Sequence, residues 1–222
     1  MKPSQKRTSR LKSVSQPGPR RPVSYLMLGV LAVILSACGG PRSTTPGAAT
    51  DVGTTALPAA VTVISATGDD LFLQGNTLSA AGQFTEAEAA YKQAIAIDPN
   101  KASYWQNLGV TYYQLQRLSD AEESLKTGLR LTPDDAQLNY LLGIVYLQMT
   151  RYNDSGLFLV KANQLDPNLP EPYYGLGVLY KQQGKNDEAI QAFEKFLKLG
   201  TSQDANAIPN AKAELEALRA GQ

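Results

Sequence analysis

The chain has 222 residues, 43% of them hydrophobic, enough for one domain of ordinary size. It has no histidine and a single cysteine, which excludes an intrachain disulfide, a zinc site of the usual His/Cys type, a Ser-His-Asp triad and a Cys-His pair. The formal net charge of +1 hides a segregation: seven of the 21 basic residues (Lys2, Lys6, Arg7, Arg10, Lys12, Arg20, Arg21) precede residue 22, where no acid occurs, and from Cys38 onward 14 basic residues stand against 20 acidic ones, a balance of −6. A basic head on an acidic body is the pattern of a targeting segment, and the acidic body lacks the basic footprint that nucleic acid requires.

Residues 1–22 are basic and polar, and residues 23–37 (VSYLMLGVLAVILSA) are apolar and uncharged. That run is short for a membrane span, which needs ~20 residues, and has the length of the apolar region of a signal peptide. It ends in Leu35-Ser36-Ala37-Cys38, followed by Gly39-Gly40. On residue chemistry alone, Cys38 is either a small residue closing a signal anchor or the thiol of a processing site. The segment resembles a bacterial lipoprotein signal peptide, its end matching the lipobox. The resemblance implies cleavage before Cys38, a diacylglycerol on its thiol and an acyl chain on the new amine. Several acyl chains on one residue anchor stably, whereas one is marginal. Gly39 stands where an aspartate, in some bacteria, signals inner-membrane retention, so the resemblance points to the periplasmic face of the outer membrane.

Residues 38–67 are the cysteine and a linker, and the linker, 39–67, is rich in Gly, Pro, Ser, Thr and Ala, with Arg42 and Asp51 the only charges. This composition reads as a flexible tether with a reach of about 30 Å. Within it, Val61-Thr62-Val63-Ile64 reads equally as a short strand or a helix lead-in.

From residue 68 the chain repeats itself. Pro99, Pro133 and Pro167 are 34 residues apart, each followed by Asn100, Asp134 or Asn168. A fixed period of this length marks one helix–turn–helix unit copied along the chain. In the copy at 102–135, Trp105, Leu108, Gly109 and Tyr112 run down a first helix, and Ala121, Leu125, Gly128 and Pro133 mark the second. The copy at 68–101 has Leu71, Gly75 and Leu78, then Ala87, Tyr91, Ala94 and Pro99; that at 136–169 has Leu142, Gly143 and Tyr146, then Ser155, Leu159, Ala162 and Pro167; that at 170–200 has Tyr173, Leu176, Gly177 and Tyr180, then Ala189, Phe193 and Phe196. Mid-helix glycine costs up to ~1 kcal/mol against alanine, so Gly75, Gly109, Gly143 and Gly177 at one phase predict a close helix–helix approach. Thr85, Ser119, Asn153 and Asp187 are predicted to N-cap the second helices, with Thr85–Glu88 and Ser119–Glu122 as capping boxes. Glu122-Glu123 and Asp134-Asp135 read as solvated or helix-start charges. Gly200-Thr201-Ser202 breaks the period, and Pro209 opens an amphipathic helix to about Ala220, with Leu215 and Leu218 inward and Lys212, Glu214, Glu216 and Arg219 outward. Residues 201–222 thus read as the polar cap a terminal repeat needs.

Across 68–200 the pattern resembles the tetratricopeptide repeat. The resemblance implies an all-α solenoid, a right-handed superhelix of four helix–turn–helix repeats closed by the C-terminal helix. It also implies a concave face lined by the first helices, here Phe72, Asn76, Gln106, Asn107, Val110, Tyr113, Tyr140, Ile144, Leu147, Tyr174, Val178 and Lys181. Such a lining, aromatic, aliphatic and amide with almost no charge, suits an extended or helical peptide with apolar anchors. Within it Tyr113, Tyr140 and Tyr174 are the contact candidates, whereas Tyr112, Tyr146 and Tyr180 stand at the packing phase. Family members that clamp a chaperone C-terminal carboxylate use two asparagines and three basic residues. Asn76 and Asn107 match the former, but Phe72, Gln137 and Leu141 replace the latter, so that partner class is excluded. The expected role is a lipid-anchored adaptor for protein segments, needing no metal or cofactor and resembling lipoproteins that help to assemble secretins, pili or cell-wall machinery. A self-associating subunit is the alternative. An accessory hydrolase would have to work with carboxylates alone, and no acid pair is isolated from caps and polar faces.

Overall fold

Thr67 caps the first helix among the described residues. Its hydroxyl accepts from the Asp70 amide at 3.2 Å while the Asp70 carboxylate accepts from the Thr67 amide at 2.9 Å, a reciprocal capping box. This opens α1 (Gly68–Ala80). The computed structural model describes residues 66–200 and 207–221. The apolar run, Cys38, the tether and Val61–Ile64 lie outside the described residues.

After α1 come α2 (Phe84–Ile97), α3 (Ala102–Gln114), α4 (Leu118–Leu131), α5 (Ala136–Gln148), α6 (Tyr152–Leu165), α7 (Glu171–Gln182), α8 (Asn186–Leu199) and α9 (Ala207–Ala220), with no strand among the described residues. Odd and even helices up to α8 pair as antiparallel hairpins, and each hairpin packs on the next. The first helices also touch one another in sequence, α1 on α3, α3 on α5 and α5 on α7, so they form one continuous layer. The architecture is an all-α solenoid.

The hairpin turns share one backbone device. Gly82, Gln116, Thr150 and Gly184, 34 residues apart, all have positive φ (76°, 60°, 59° and 73°). The next amide reaches back over the helix end: Gln83 N to Leu78 O, Arg117 N to Tyr112 O, Arg151 N to Tyr146 O and Lys185 N to Tyr180 O, each at 2.9 Å. These are the six-to-one bonds of the Schellman motif.

That turn corrects the predicted caps. The second helices start at Phe84, Leu118, Tyr152 and Asn186, and the capping positions are Gln83, Arg117, Arg151 and Lys185, none with a side-chain cap bond. The Schellman turn delivers these residues already aligned, and their carbonyls accept from Ala87, Ala121, Ser155 and Ala189 at 2.9–3.0 Å. Thr85, Ser119, Asn153 and Asp187 therefore fall inside the first turn, and neither expected capping box forms. Of the Asp134-Asp135 pair, Asp135 caps α5, accepting from the Leu138 amide at 2.9 Å.

The glycine phase is the close approach it predicts. A Cβ at Gly75 would stand 2.5 Å from the Tyr91 ring, at Gly109 2.7 Å from Leu125, at Gly143 2.8 Å from Leu159 and at Gly177 2.7 Å from Phe193. Each contact joins the two helices of one hairpin. Ala87, Ala121 and Ala189 are fully buried beside them. Helix α5 is apolar all round and buried from Leu138 to Leu147, as a helix without a polar face must be.

Helix α9 packs on α8, burying Ala207, Ala211, Leu215 and Leu218. It begins two residues before Pro209, because a proline in the first turn lacks only an amide that has no intrahelical partner anyway. Glu214, expected outward, is half-buried and accepts from Lys181 on α7, tying the last helix to the first-helix layer.

Candidate functional site

The layer made by α1, α3, α5 and α7 carries the twelve lining residues. Seven are buried to 5% exposure or less: Val110, Tyr113, Tyr140, Ile144, Leu147, Tyr174 and Val178. Phe72, Asn76, Gln106 and Asn107 are half-buried, so the accessible part of the lining lies at the first two repeats. Lys181 is exposed, but its ammonium is engaged by Glu214. Phe72 stacks on Tyr104 with ring centroids 4.9 Å apart, and the Tyr104 hydroxyl and Lys101 both donate to Asp69. Tyr174 meets Phe193 and Phe196 edge-on at 5.7 and 5.3 Å.

Asn76 and Asn107 meet in this layer. Asn76 Oδ1 accepts from the Tyr91 hydroxyl at 2.8 Å and from Asn107 Nδ2 at 2.7 Å, tying α1, α2 and α3 together. The Asn76 side-chain NH2 and Asn107 Oδ1 make no hydrogen bond to described residues. One donor and one acceptor, side by side and held from behind, are what the backbone of an extended peptide needs.

Burial pushes Tyr113 up to about 12. Burial does the same to Tyr174, helped by the charge of Glu214, and to Tyr91, against its hydrogen-bonding neighbours Asn107 and Ser79; both are raised to about 12. These phenols stay neutral at any physiological pH, so the aromatic part of the layer carries no charge.

A second arrangement escaped the sequence reading. Glu88 takes Lys92 at 2.6 Å on its own helix and Arg117 at 2.9 Å from the next repeat, and the guanidinium lies 4.4 Å from the Tyr112 ring centroid. One period later Glu122 takes Lys126 at 2.5 Å, Arg151 at 3.1 Å and the Tyr146 hydroxyl at 3.0 Å, with the guanidinium 4.3 Å from the Tyr146 ring. Burial works to raise both carboxyls, but the hydrogen bonds from their cationic neighbours, and from Tyr146 to Glu122, outweigh it and hold both below the ordinary range. Glu122 is therefore the centre of a clamp between repeats, with 15% of its side chain exposed, and not a solvated charge. The signal was in the sequence: Glu88/Glu122, Lys92/Lys126, Tyr112/Tyr146 and Arg117/Arg151 all recur at the 34-residue period. Among the described residues no three His, Cys, Asp or Glu side chains gather as a metal site would need, and no helix is long and apolar enough to cross a membrane.

One tetratricopeptide repeat family model matches residues 78–145, and a second matches 136–169 and 170–199. The chain is a tetratricopeptide repeat protein. Such repeats generally bind protein partners, which makes the repeat region a protein–protein interaction scaffold. Among solved structures, a crystal structure of MamA protein is 29% identical with a TM-score of 0.55, over 69% of this chain and 85% of that one. TTC0263, a thermophilic TPR protein of Thermus thermophilus, is 24% identical with a TM-score of 0.60, over 67% of this chain and 81% of that one. MamA residues 41 to the end, from Desulfovibrio magneticus, is 23% identical with a TM-score of 0.57, over 63% and 79%. The last two likenesses bear on the fold alone. No curated protein matches the chain.

Proposed function

We propose that this tetratricopeptide repeat protein is a lipid-anchored adaptor of a bacterial envelope. Cys38 holds it to the periplasmic face of the outer membrane, and the first-helix layer receives a segment of a partner protein. The anchor reading is supported by the Leu35-Ser36-Ala37-Cys38 motif closing a short apolar run behind a basic head. The observation that carries the binding reading is the Asn76–Asn107 pair, which offers a bound backbone one donor and one acceptor at the half-buried end of an uncharged aromatic layer. Assembly of a secretin, pilus or cell-wall complex is a task such an adaptor suits.

The anchor is tested by Cys38→Ala in the native cell. Acyl labelling disappears and an uncleaved precursor accumulates; a variant that matures to the wild-type mass and fractionates identically refutes the reading. The binding face is tested by crosslinking pulldown of the lipidated protein, followed by Asn76→Ala/Asn107→Ala. Loss of the crosslinked partner with an intact thermal melt supports the layer as the site. Retention of the partner, or affinity that falls steeply with added salt, places the site elsewhere.

A further inference from the structure

The inter-repeat clamp is built twice and then stops. At the period of 34 residues, Glu88 and Glu122 are followed by Gly156, Lys92 and Lys126 by Val160, and Arg117 and Arg151 by Lys185. The aromatic floor persists: Lys185 lies 5.8 Å from the Tyr180 ring centroid, in the place that Arg117 and Arg151 take over Tyr112 and Tyr146. Lys185 keeps the ring, but α6 offers it no glutamate, since Gly156 stands where Glu88 and Glu122 do. A side chain can start at Gly156, because a Cβ there would meet nothing nearer than Leu179 at 3.4 Å, an ordinary contact.

The same stretch of α6 turns apolar side chains outward. Leu157 is 66% exposed and Val160, one turn on, 38%; the corresponding positions of α4 are Glu123 and Lys126. An apolar stripe thus runs to a cation whose inter-repeat glutamate, supplied in the earlier repeats by the preceding second helix, is absent. We propose that the outer face of α6, with Gly156, Leu157, Val160 and Lys185, docks an amphipathic helix of a partner protein. That helix sets a glutamate on Lys185 over the Tyr180 ring and covers Leu157 and Val160 with its apolar side. The occupant follows from charge complementarity: in the two closed clamps the group in this place is a helix-borne glutamate. The surface is centred on the second helix α6 and uses none of the twelve lining residues of the first-helix layer, so one scaffold can hold two partners.

The test uses the full chain in detergent and two labelled 16-residue helical peptides of designed sequence. Both carry leucines on one face; one places glutamates along its edge, the other lysines. The glutamate peptide binds the wild type, and the lysine peptide binds at least tenfold more weakly. Lys185→Gln removes that difference. Gly156→Glu/Val160→Lys rebuilds the third clamp and weakens the glutamate peptide at least tenfold, with the melting temperature unchanged or raised. Should the double variant fail to fold, Leu157→Gln, on a solvent-facing side chain, must weaken binding by the same factor. No binding of the glutamate peptide to the wild type, equal affinity for both peptides, or full binding by a folded Gly156→Glu/Val160→Lys or Leu157→Gln variant overturns the proposal. So does light scattering that shows a dimer which Leu157→Gln dissolves, since the face would then belong to a second copy of the chain.

Discussion

A Cβ on Gly143 would stand 2.8 Å from Cγ of Leu159 and 3.2 Å from the Leu159 backbone nitrogen, with Leu159 fully buried. Two opposing effects therefore meet at this position. Alanine would gain up to ~1 kcal/mol in helix propensity, while overpacking a closed core costs about 1–3 kcal/mol. Backbone cannot rotate out of the way, so packing wins. Gly143→Ala is expected to destabilise the fold by about 1 kcal/mol or more in denaturant titration. Gly156→Ala, whose new Cβ would meet only Leu179 at 3.4 Å, is the control and is expected to stabilise by about 0.5–1 kcal/mol. Destabilisation by both, or by neither, would contradict this reading of the glycines.

The clamp on Glu122 sets a pH dependence. Its carboxyl is held below the ordinary value, so the folded state binds that proton less tightly than the unfolded chain. The contribution is therefore complete above the unfolded value, near 4.5, and is lost as pH falls through the lower folded value. Glu122→Gln is expected to cost about 1–2 kcal/mol at pH 7, a charge-assisted network being worth more than one exposed pair. The two proteins should converge in stability as pH falls through the lowered folded value. A gap that persists undiminished in acid would assign the loss to packing.

Thr150 holds a φ of 59°, where a β-branched residue is an outlier, while Gly82 and Gly184 occupy the same turn position in their repeats. Left-handed backbone costs a residue with a Cβ about 1–2 kcal/mol, part of which glycine's extra unfolded-state entropy cancels. Thr150→Gly is expected to stabilise by about 0.5–1 kcal/mol, and Gly184→Val to destabilise by about 1–2 kcal/mol. Thermal melts of the two variants, moving in opposite directions, check this.

Tyr91, Tyr113 and Tyr174 are each raised to about 12. The folded chain keeps these protons while the unfolded chain releases them near 10, so stability is full below about pH 10 and falls as pH climbs toward 12. Phenolate absorbance is expected to rise in two steps, the exposed tyrosines first and these three with alkaline unfolding. A single step near pH 10, with the fold intact, would show that the three are open to solvent.

Much of this molecule was legible because repetition amplifies weak signals. One mid-helix glycine says little; four at one phase, facing Tyr91, Leu125, Leu159 and Phe193, specify a contact. The helix starts were misread because Thr85 and Ser119 are good caps by type. The Schellman turn closed by Gln83 and Arg117 had already aligned the chain two residues earlier. The turn residues were harder still, since glycine marks the left-handed position in only two of four copies and Gln116 and Thr150 fill it in the others.

By itself the sequence determined the repeat unit, its period and the hairpin packing, because those depend on residue type at fixed spacing along one helix pair, and its composition ruled out histidine chemistry and an intrachain disulfide. Tertiary structure decided what depends on neighbours from different repeats: that Glu122 is the hub of a clamp reaching Arg151, 29 residues away, that Glu214 turns in to Lys181, and that Asn76 and Asn107 share a hydrogen bond. Spacing along a helix fixes which side chains share a face. Only stacking one hairpin on the next fixes which charges come within bonding distance.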